Sequence, residues 1–280
     1  MSSQSIRSTR TSLGVVTISY NFLRKIALQR HLIWNFIIRD LKSRYIGSFM
    51  GFFWSVIHPL VLLLSYTFVF SIVFEIKPKL GQIDNFAVFL FCGILPWLYF
   101  QDTLIRSCNS VVDHSHLIRK TLFASEILPV TLVLSNLVTH LVGFAILLVV
   151  LLYMNTIGWA ALLVPIYLIL LMVLSLGLGW LAAALQVFLR DTAQILSVVM
   201  VFWFWFTPIF YQIEMVPKAF RPWMQFNPLT HMVEGYRHLL LENRLPDAES
   251  LLWLAAWAMG AFVVGGFVFR NTKREFVDVL

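Results

Sequence analysis

The sequence predicts an all-helical, polytopic membrane protein with six transmembrane helices, and three observations carry that prediction. The 30 residues from Tyr45 to Phe74 contain no Asp, Glu, Lys or Arg, which exceeds the ~20 apolar residues a helix needs to cross a bilayer. Hydrophobic residues make up 59% of the chain and charged residues 12%, about half the charged share of a soluble domain. Four more charge-free runs follow: Asn85 to Gln101, Ile127 to Leu189, Thr192 to Ile213 and Ser250 to Phe269. The second of these, at 63 residues, is long enough for two spans joined by a turn near Asn155–Gly158.

Residues 1–19 are rich in Ser, Thr and Arg and carry no acid; a transit peptide shares that composition, and a short disordered tail is the expectation. No apolar core precedes residue 45, so a cleavable signal peptide is not expected. Residues 20–44 read as an amphipathic interfacial helix. Leu23, Ile26, Ala27, Ile33, Trp34, Ile37, Ile38 and Leu41 form one stripe, while Arg24, Lys25, Asn35, Arg39 and Lys42 face away. Such a helix lies in the headgroup layer with its stripe in lipid; Arg30, on the stripe, is long enough to snorkel out. The transmembrane domain runs over 45–272. In span two, Cys92 and Cys108 stand sixteen residues apart, about 24 Å along a helix, and cannot pair.

Between spans two and three, the segment at about 114–124 places Leu117, Ile118, Thr121 and Leu122 on one helical face beside Arg119 and Lys120. It is either a short helix that docks in a partner's groove or an ordinary basic connection. Phe202-Trp-Phe-Trp-Phe206 with Pro208, Phe210 and Tyr211, and Pro96-Trp-Leu-Tyr-Phe100, concentrate aromatics. These suit an interfacial belt, or flat faces on which sugar rings stack. Between spans five and six, at about 209–242, Pro208, Pro217, Pro222 and Pro228 interrupt a sequence that stays hydrophobic. Asn227-Pro228 reads as a helix cap followed by proline at the first helical position. Leu229, Met232, Val233, Tyr236, Leu239 and Leu240 then recur at helical spacing. Short re-entrant helices, with their irregular backbone covered by protein or water, fit this pattern. Glu234 and Arg237, three apart, are placed to pair.

Fifteen of the 21 Lys and Arg residues fall on the side shared by both termini, including the tail at 273–280. The termini are therefore expected in the cytoplasm. The net charge of +7 then meets anionic lipid, and nucleic acid is not an expected partner. The chain lacks a Gly-x-x-x-x-Gly-Lys-Ser/Thr phosphate loop. His114-x-His116 has no third ligand nearby. His140 alone is titratable well inside spans three and four, whereas ion-coupled carriers place carboxylates there. No acid pair suits a membrane enzyme. The expectation is a transport subunit, not an enzyme, with no cofactor or metal of its own.

Four segments resemble the membrane subunit of an ABC-2-type polysaccharide exporter, the permease family for O-antigen, capsular polysaccharide and teichoic acid. They are Arg39-Asp-Leu-Lys-Ser-Arg-Tyr-Ile-Gly-Ser-Phe-Met-Gly-Phe-Phe-Trp54 with His58-Pro-Leu60, Leu117-Ile-Arg-Lys-Thr-Leu-Phe123 with Glu126-Ile-Leu-Pro129, Phe188-Leu-Arg-Asp-Thr-Ala-Gln194 through Thr207-Pro-Ile-Phe-Tyr211, and Asn227-Pro-Leu-Thr230 with Glu234, Tyr236 and Arg237. Met50-Gly51 stands where the family has Leu-Gly, and Phe123-Ala-Ser-Glu126 where Phe-Pro-Arg-Glu is common. The resemblance implies two copies of this chain with two copies of an ABC ATPase subunit, which binds ATP and Mg. It implies a polyprenyl-pyrophosphate-linked polysaccharide carried across the bacterial inner membrane. On that reading Arg39, Lys42 and Arg44 guide the pyrophosphate, and Met50 and Gly51 flank a lateral opening. Trp97, Tyr99, Phe100, Trp203, Trp205 and Tyr211 line the channel. Leu117, Ile118, Arg119, Lys120, Thr121, Leu122 and Phe123 couple to the ATPase. Pro208, Asn227, Pro228, Glu234, Tyr236 and Arg237 form the outer gate. The alternatives are an ABC-2 exporter of a small amphiphile or drug, and an ion-coupled carrier.

Overall fold

The computed structural model describes residues 29–44, 49–75, 85–120 and 124–280. Every regular element among them is helical. The first part of the expected interfacial helix (Leu23, Arg24, Lys25, Ile26, Ala27), the tail at 1–19, and Thr121, Leu122 and Phe123 lie outside the described residues. Helix α1 is Arg30–Ser43. After a turn at Gly51–Phe53, α2 runs over Trp54–Thr67 and widens into a π-helical end at Phe68–Val73. Gly51 opens that turn at φ 50°, the left-handed region that glycine enters without a Cβ penalty.

Helix α3, Phe86–Asp113, is 28 residues long, about 42 Å. Its first free amides are capped by the Asn85 side chain, which accepts from Ala87 N at 3.0 Å. A short α4, Ser115–Lys120, follows. Helix α5 covers Ile127–Tyr153 and α6 covers Val164–Phe188. The expected turn between them is present. It holds Asn155 at φ 53°, a conformation for which Asn is enriched.

Among the described residues, five helical segments are long and apolar enough to cross a membrane: Trp54–Val73, Phe86–Asp113, Ile127–Tyr153, Trp159–Phe188 and Ala248–Thr272. The sixth expected span is shorter than its 22-residue charge gap. Helix α7 is Thr192–Phe206, 15 residues, about 22 Å against a hydrocarbon core of ~30 Å. It stops because Thr207 turns to an extended conformation at φ −95°, ψ 133° ahead of Pro208, which disfavours the helical form in the residue before it. Two short helices come next, α8 (Arg221–Phe226) and α9 (Pro228–Leu240). Helix α10, Ala248–Thr272, and the final turn α11, Phe276–Val279, end the chain.

The longest packing seam joins α6 to α10. A Cβ on Gly265 would overlap the Gly177 carbonyl, and one on Gly177 would overlap the Ala261 backbone. Two glycines therefore let the backbones touch, the close approach that small residues permit between membrane helices. Helix α3 is the hub, packed by α2, α5, α6, α7 and α9. One core cluster surrounds α3 and α9; a second gathers Ile33, Ile37, Ile118, Phe269 and Phe276 near the ends of the chain.

Candidate functional site

The end of α1 is tied to the spans by a charge cluster. Ile33, Ile37, Asp40 and Arg44 recur at helical spacing on one face of α1, and Ile33 and Ile37 are buried against α5. That face therefore continues from apolar packing into ion pairs. Asp40 accepts from Arg44 Nη2 at 2.9 Å, from Ser135 Oγ and from Arg106 Nη2. Asn136 Oδ1 accepts from Arg44 and, at 3.2 Å, from Arg106 Nη1, while its amide donates to Thr103 Oγ1 at 2.9 Å. Asp102 Oδ2 is 3.6 Å from Arg44 Nη1 and 4.0 Å from Arg106 Nη1.

This corrects two expectations. The α1 stripe is not wholly a lipid-facing surface: Ile33 and Ile37 face protein and Trp34 remains exposed. Arg44 is occupied by carboxylates and Asn136, because its register places it on the protein side. Arg39, beside the Phe36 ring at 5.6 Å, and Lys42 point outward and keep their charge available. Met50 is exposed, next to Gly51 at the opening turn of α2.

The expected channel aromatics divide into two sets. Trp97, Tyr99 and Phe100 are 2%, 4% and 0% exposed. Trp97 donates to Gln101 Oε1 at 2.7 Å, Tyr99 to the Val133 carbonyl at 3.0 Å, and Phe100 meets the Trp203 ring edge-on at 5.2 Å. These three rings are packed in the core of the chain, because α3 is surrounded by five helices, and of the three only Tyr99 borders a cavity, the one between α2, α3 and α5. Trp203 is half-buried, Tyr211 partly buried and Trp205 53% exposed. Ile195, Val198, Phe202 and Trp205 instead make an exposed stripe along α7.

The break after α7 is braced from α9. Asn227 caps α9 as expected, accepting from Leu229 N at 3.0 Å. It also accepts from Trp203 Nε1 at 2.9 Å and donates to Thr207 Oγ1 at 3.0 Å. Arg237 does not bridge to Glu234. It lies buried 3.6 Å over the Phe89 ring and donates to the carbonyls of Pro208 at 2.7 Å and Ile209 at 2.6 Å. Those carbonyls lie just past the end of α7, outside any helix, and a guanidinium fork satisfies both. Pro208 and Pro228 are buried and Glu234 is half-buried. The Tyr236 hydroxyl meets His140 Nε2 at 3.2 Å.

On α4, Arg119 is exposed, Leu117 half-buried and Ile118 buried among Phe276 and its neighbours. Ile118 therefore belongs to the chain's own core, since α11 folds back onto α4; Lys120 ends the helix. Glu126, at the start of α5, is held by Lys273 Nζ at 3.0 Å. His114 contacts the Ser110 carbonyl at 2.9 Å through Nδ1.

Sequence reasoning overlooked Asp40, Asp102, Arg106, Ser135 and Asn136. The signal was available: Asp102 and Arg106 are charges four apart inside an apolar helix, and Asp40 shares the register of Ile33 and Ile37. The family model described as ABC-2 type transporter matches residues 31–241. The chain is 29% identical to the O-antigen export system permease protein RfbA of Myxococcus xanthus over 91% of this chain and 98% of the relative. It is 29% identical to a protein of the same name from Klebsiella pneumoniae, over 86% and 92%. It is 23% identical to the polysialic acid transport protein KpsM of Escherichia coli, over 85% and 92%.

Proposed function

The chain belongs to the ABC-2 type transporter family, and from that premise we propose that it is the membrane subunit of a polysaccharide exporter. The observation that carries the reading is the near end-to-end similarity to permeases named for O-antigen export in two different bacteria. The substrate is a polyprenyl-pyrophosphate-linked glycan of the O-antigen type. It moves from the cytoplasmic to the outer face of the inner membrane, and both chain termini are cytoplasmic. The ATPase is a separate subunit, and the working unit is two copies of each.

The geometry supports a division of labour. Arg39 and Lys42 stand outward on α1 and attract the pyrophosphate by charge. The cluster of Asp40, Arg44, Arg106 and Asp102 holds α1 against α3 and α5, so a push on α1 is felt by the spans. The α7 stripe ending in Phe202 and Trp205 is the surface that a second copy and the glycan share. Weak stacking on such rings lets a polymer slide. Asn227 and Arg237 hold the outer junction. Arg119 on α4 faces the ATPase.

The test is reconstitution of the chain with its candidate ATPase, assayed with and without lipid-linked glycan. A 2:2 complex whose ATP hydrolysis rises with glycan supports the reading. A chain that purifies without an ATPase and moves solute on an ion gradient overturns it.

A further inference from the structure

Helix α4 is too short to hold itself. It spans six residues, Ser115–Lys120, and isolated helices shorter than about 12–15 residues are marginal in water. Its order therefore comes from packing, and among the described helices its main partner is α11. We propose that α11 is a strut for α4, in which Phe276 fixes the pose that α4 presents to the ATPase. The proposal rests on the reading above that Arg119 and its helix face an ATPase subunit.

The grip is built around one ring. Phe276 is 0% exposed, whereas Val277 and Val279 beside it are 50% and 45% exposed. The Phe276 ring meets Phe269 of α10 edge-on at 5.3 Å and lies 6.1 Å from the ring of Phe188 at the end of α6. Ile118 and Val187 belong to the same buried cluster, and α11 packs on both α4 and α6. One face of α4 thus rests on a ring backed by two spans. Close-packed backing of this kind transmits displacement instead of absorbing it.

A second tie fixes where the chain leaves α10. Lys273, between α10 and α11, places Nζ 3.0 Å from Glu126 Oε1 at the start of α5. The Glu126 carbonyl accepts from Trp180 Nε1 of α6 at 3.1 Å. On the other side of α4, the His114 ring contacts the Ser110 carbonyl of α3 at 2.9 Å. Helix α4 sits between these two anchors, and Phe276 supports its middle. Ile33 and Ile37 of α1 share the cluster, so a displacement of α4 reaches the helix that carries Arg39 and Lys42. A helix held in advance pays its ordering entropy on folding and not on binding. Without Phe276, that cost falls on association with the ATPase.

The test is hydrogen–deuterium exchange on the full chain in nanodiscs, paired with ATPase association, for the unaltered chain, Phe276→Ala, Phe276→Leu and Asp278→Ala. The amides of Leu117 and Ile118 donate to the His114 carbonyl at 3.0 and 3.3 Å. In Phe276→Ala they are expected to exchange about tenfold faster, with ATPase association weakened about tenfold, ~1.4 kcal/mol. Amides of α5 and α6 are expected to keep their protection, which separates a loosened α4 from a damaged fold. Phe276→Leu refills the apolar cup and is expected to restore most of both readouts. Asp278→Ala, on the exposed side of α11, is expected to change neither. Unchanged α4 exchange, loss of protection across the spans as well, or an Asp278→Ala defect equal to that of Phe276→Ala overturns the proposal; the last would make α11 itself the docking surface. Exchange at α4 that depends on Phe276, in a chain that takes no ATPase, sinks the exporter reading and leaves the strut standing. Equal ATPase association by the unaltered chain and Phe276→Ala, with glycan-stimulated hydrolysis intact, sinks the strut alone.

Discussion

Asn227 and Arg237 show how single side chains hold a membrane protein where its backbone is irregular. Each serves the α7 break from α9, Asn227 through Trp203 and Thr207, Arg237 through two carbonyls. Asn227→Ala removes the cap and orphans two side-chain partners. The expected loss is about 2 kcal/mol, read as a lower unfolding midpoint in detergent; Asn227→Asp, which keeps the acceptor, loses less. A second prediction concerns the charge cluster. Asp40→Ala leaves Arg44 and Arg106 short of a partner and is expected to destabilise by about 2–3 kcal/mol, given the partial burial. The double variant Asp40→Ala with Arg106→Met should cost less than the two single changes summed. Additive losses in a double-mutant cycle would show that the contact carries no coupling.

Among the elements, the α6–α10 seam depends on the absence of side chains. Gly265→Val must push the Gly177 backbone away, and no rotamer avoids that. It is expected to abolish the folded chain, seen as loss of the monodisperse peak in gel filtration. Gly260 lies on the same helix, and no described atom comes within 4 Å of where its Cβ would sit; Gly260→Ala should fold normally. Equal behaviour of the two variants would mean the close crossing is not what holds the seam. Helix α7 is the other decisive element. Its charge gap of 22 residues runs past the helix end, because a gap in charge registers hydropathy alone, while Pro208 marks where the helix stops.

For the whole molecule, coupling to a partner is the property under test. Ile118 is buried in the chain's own core while Arg119 is exposed on the same short helix. Ile118→Asp is therefore expected to damage the fold, whereas Arg119→Glu should leave unfolding unchanged and weaken ATPase association by about tenfold, ~1.4 kcal/mol. Co-purification with quantified subunit ratios distinguishes them. An Arg119→Glu chain that still retains its ATPase in full would remove α4 from the proposed interface.

The sequence by itself determined that this is a helical, multi-span membrane protein, because long charge-free runs are local properties, and four motif segments carried its resemblance to the ABC-2 family. It also foretold the Asn227–Pro228 cap and the turn near Asn155, where the residue types dictate the backbone. Only the tertiary structure decided which side of each helix meets protein. Trp97, Tyr99 and Phe100 are as aromatic as Trp205, yet α3 is enclosed and α7 is not. Arg44 reads as a free cation until Asp40 is brought beside it, and Arg237 reads as a partner of Glu234 until the Pro208 and Ile209 carbonyls take its guanidinium. The cavity between α2, α3 and α5 exists in no single segment, since its walls come from residues up to 89 positions apart. Burial and pairing are properties of the assembled helices, and spacing along one helix does not contain them.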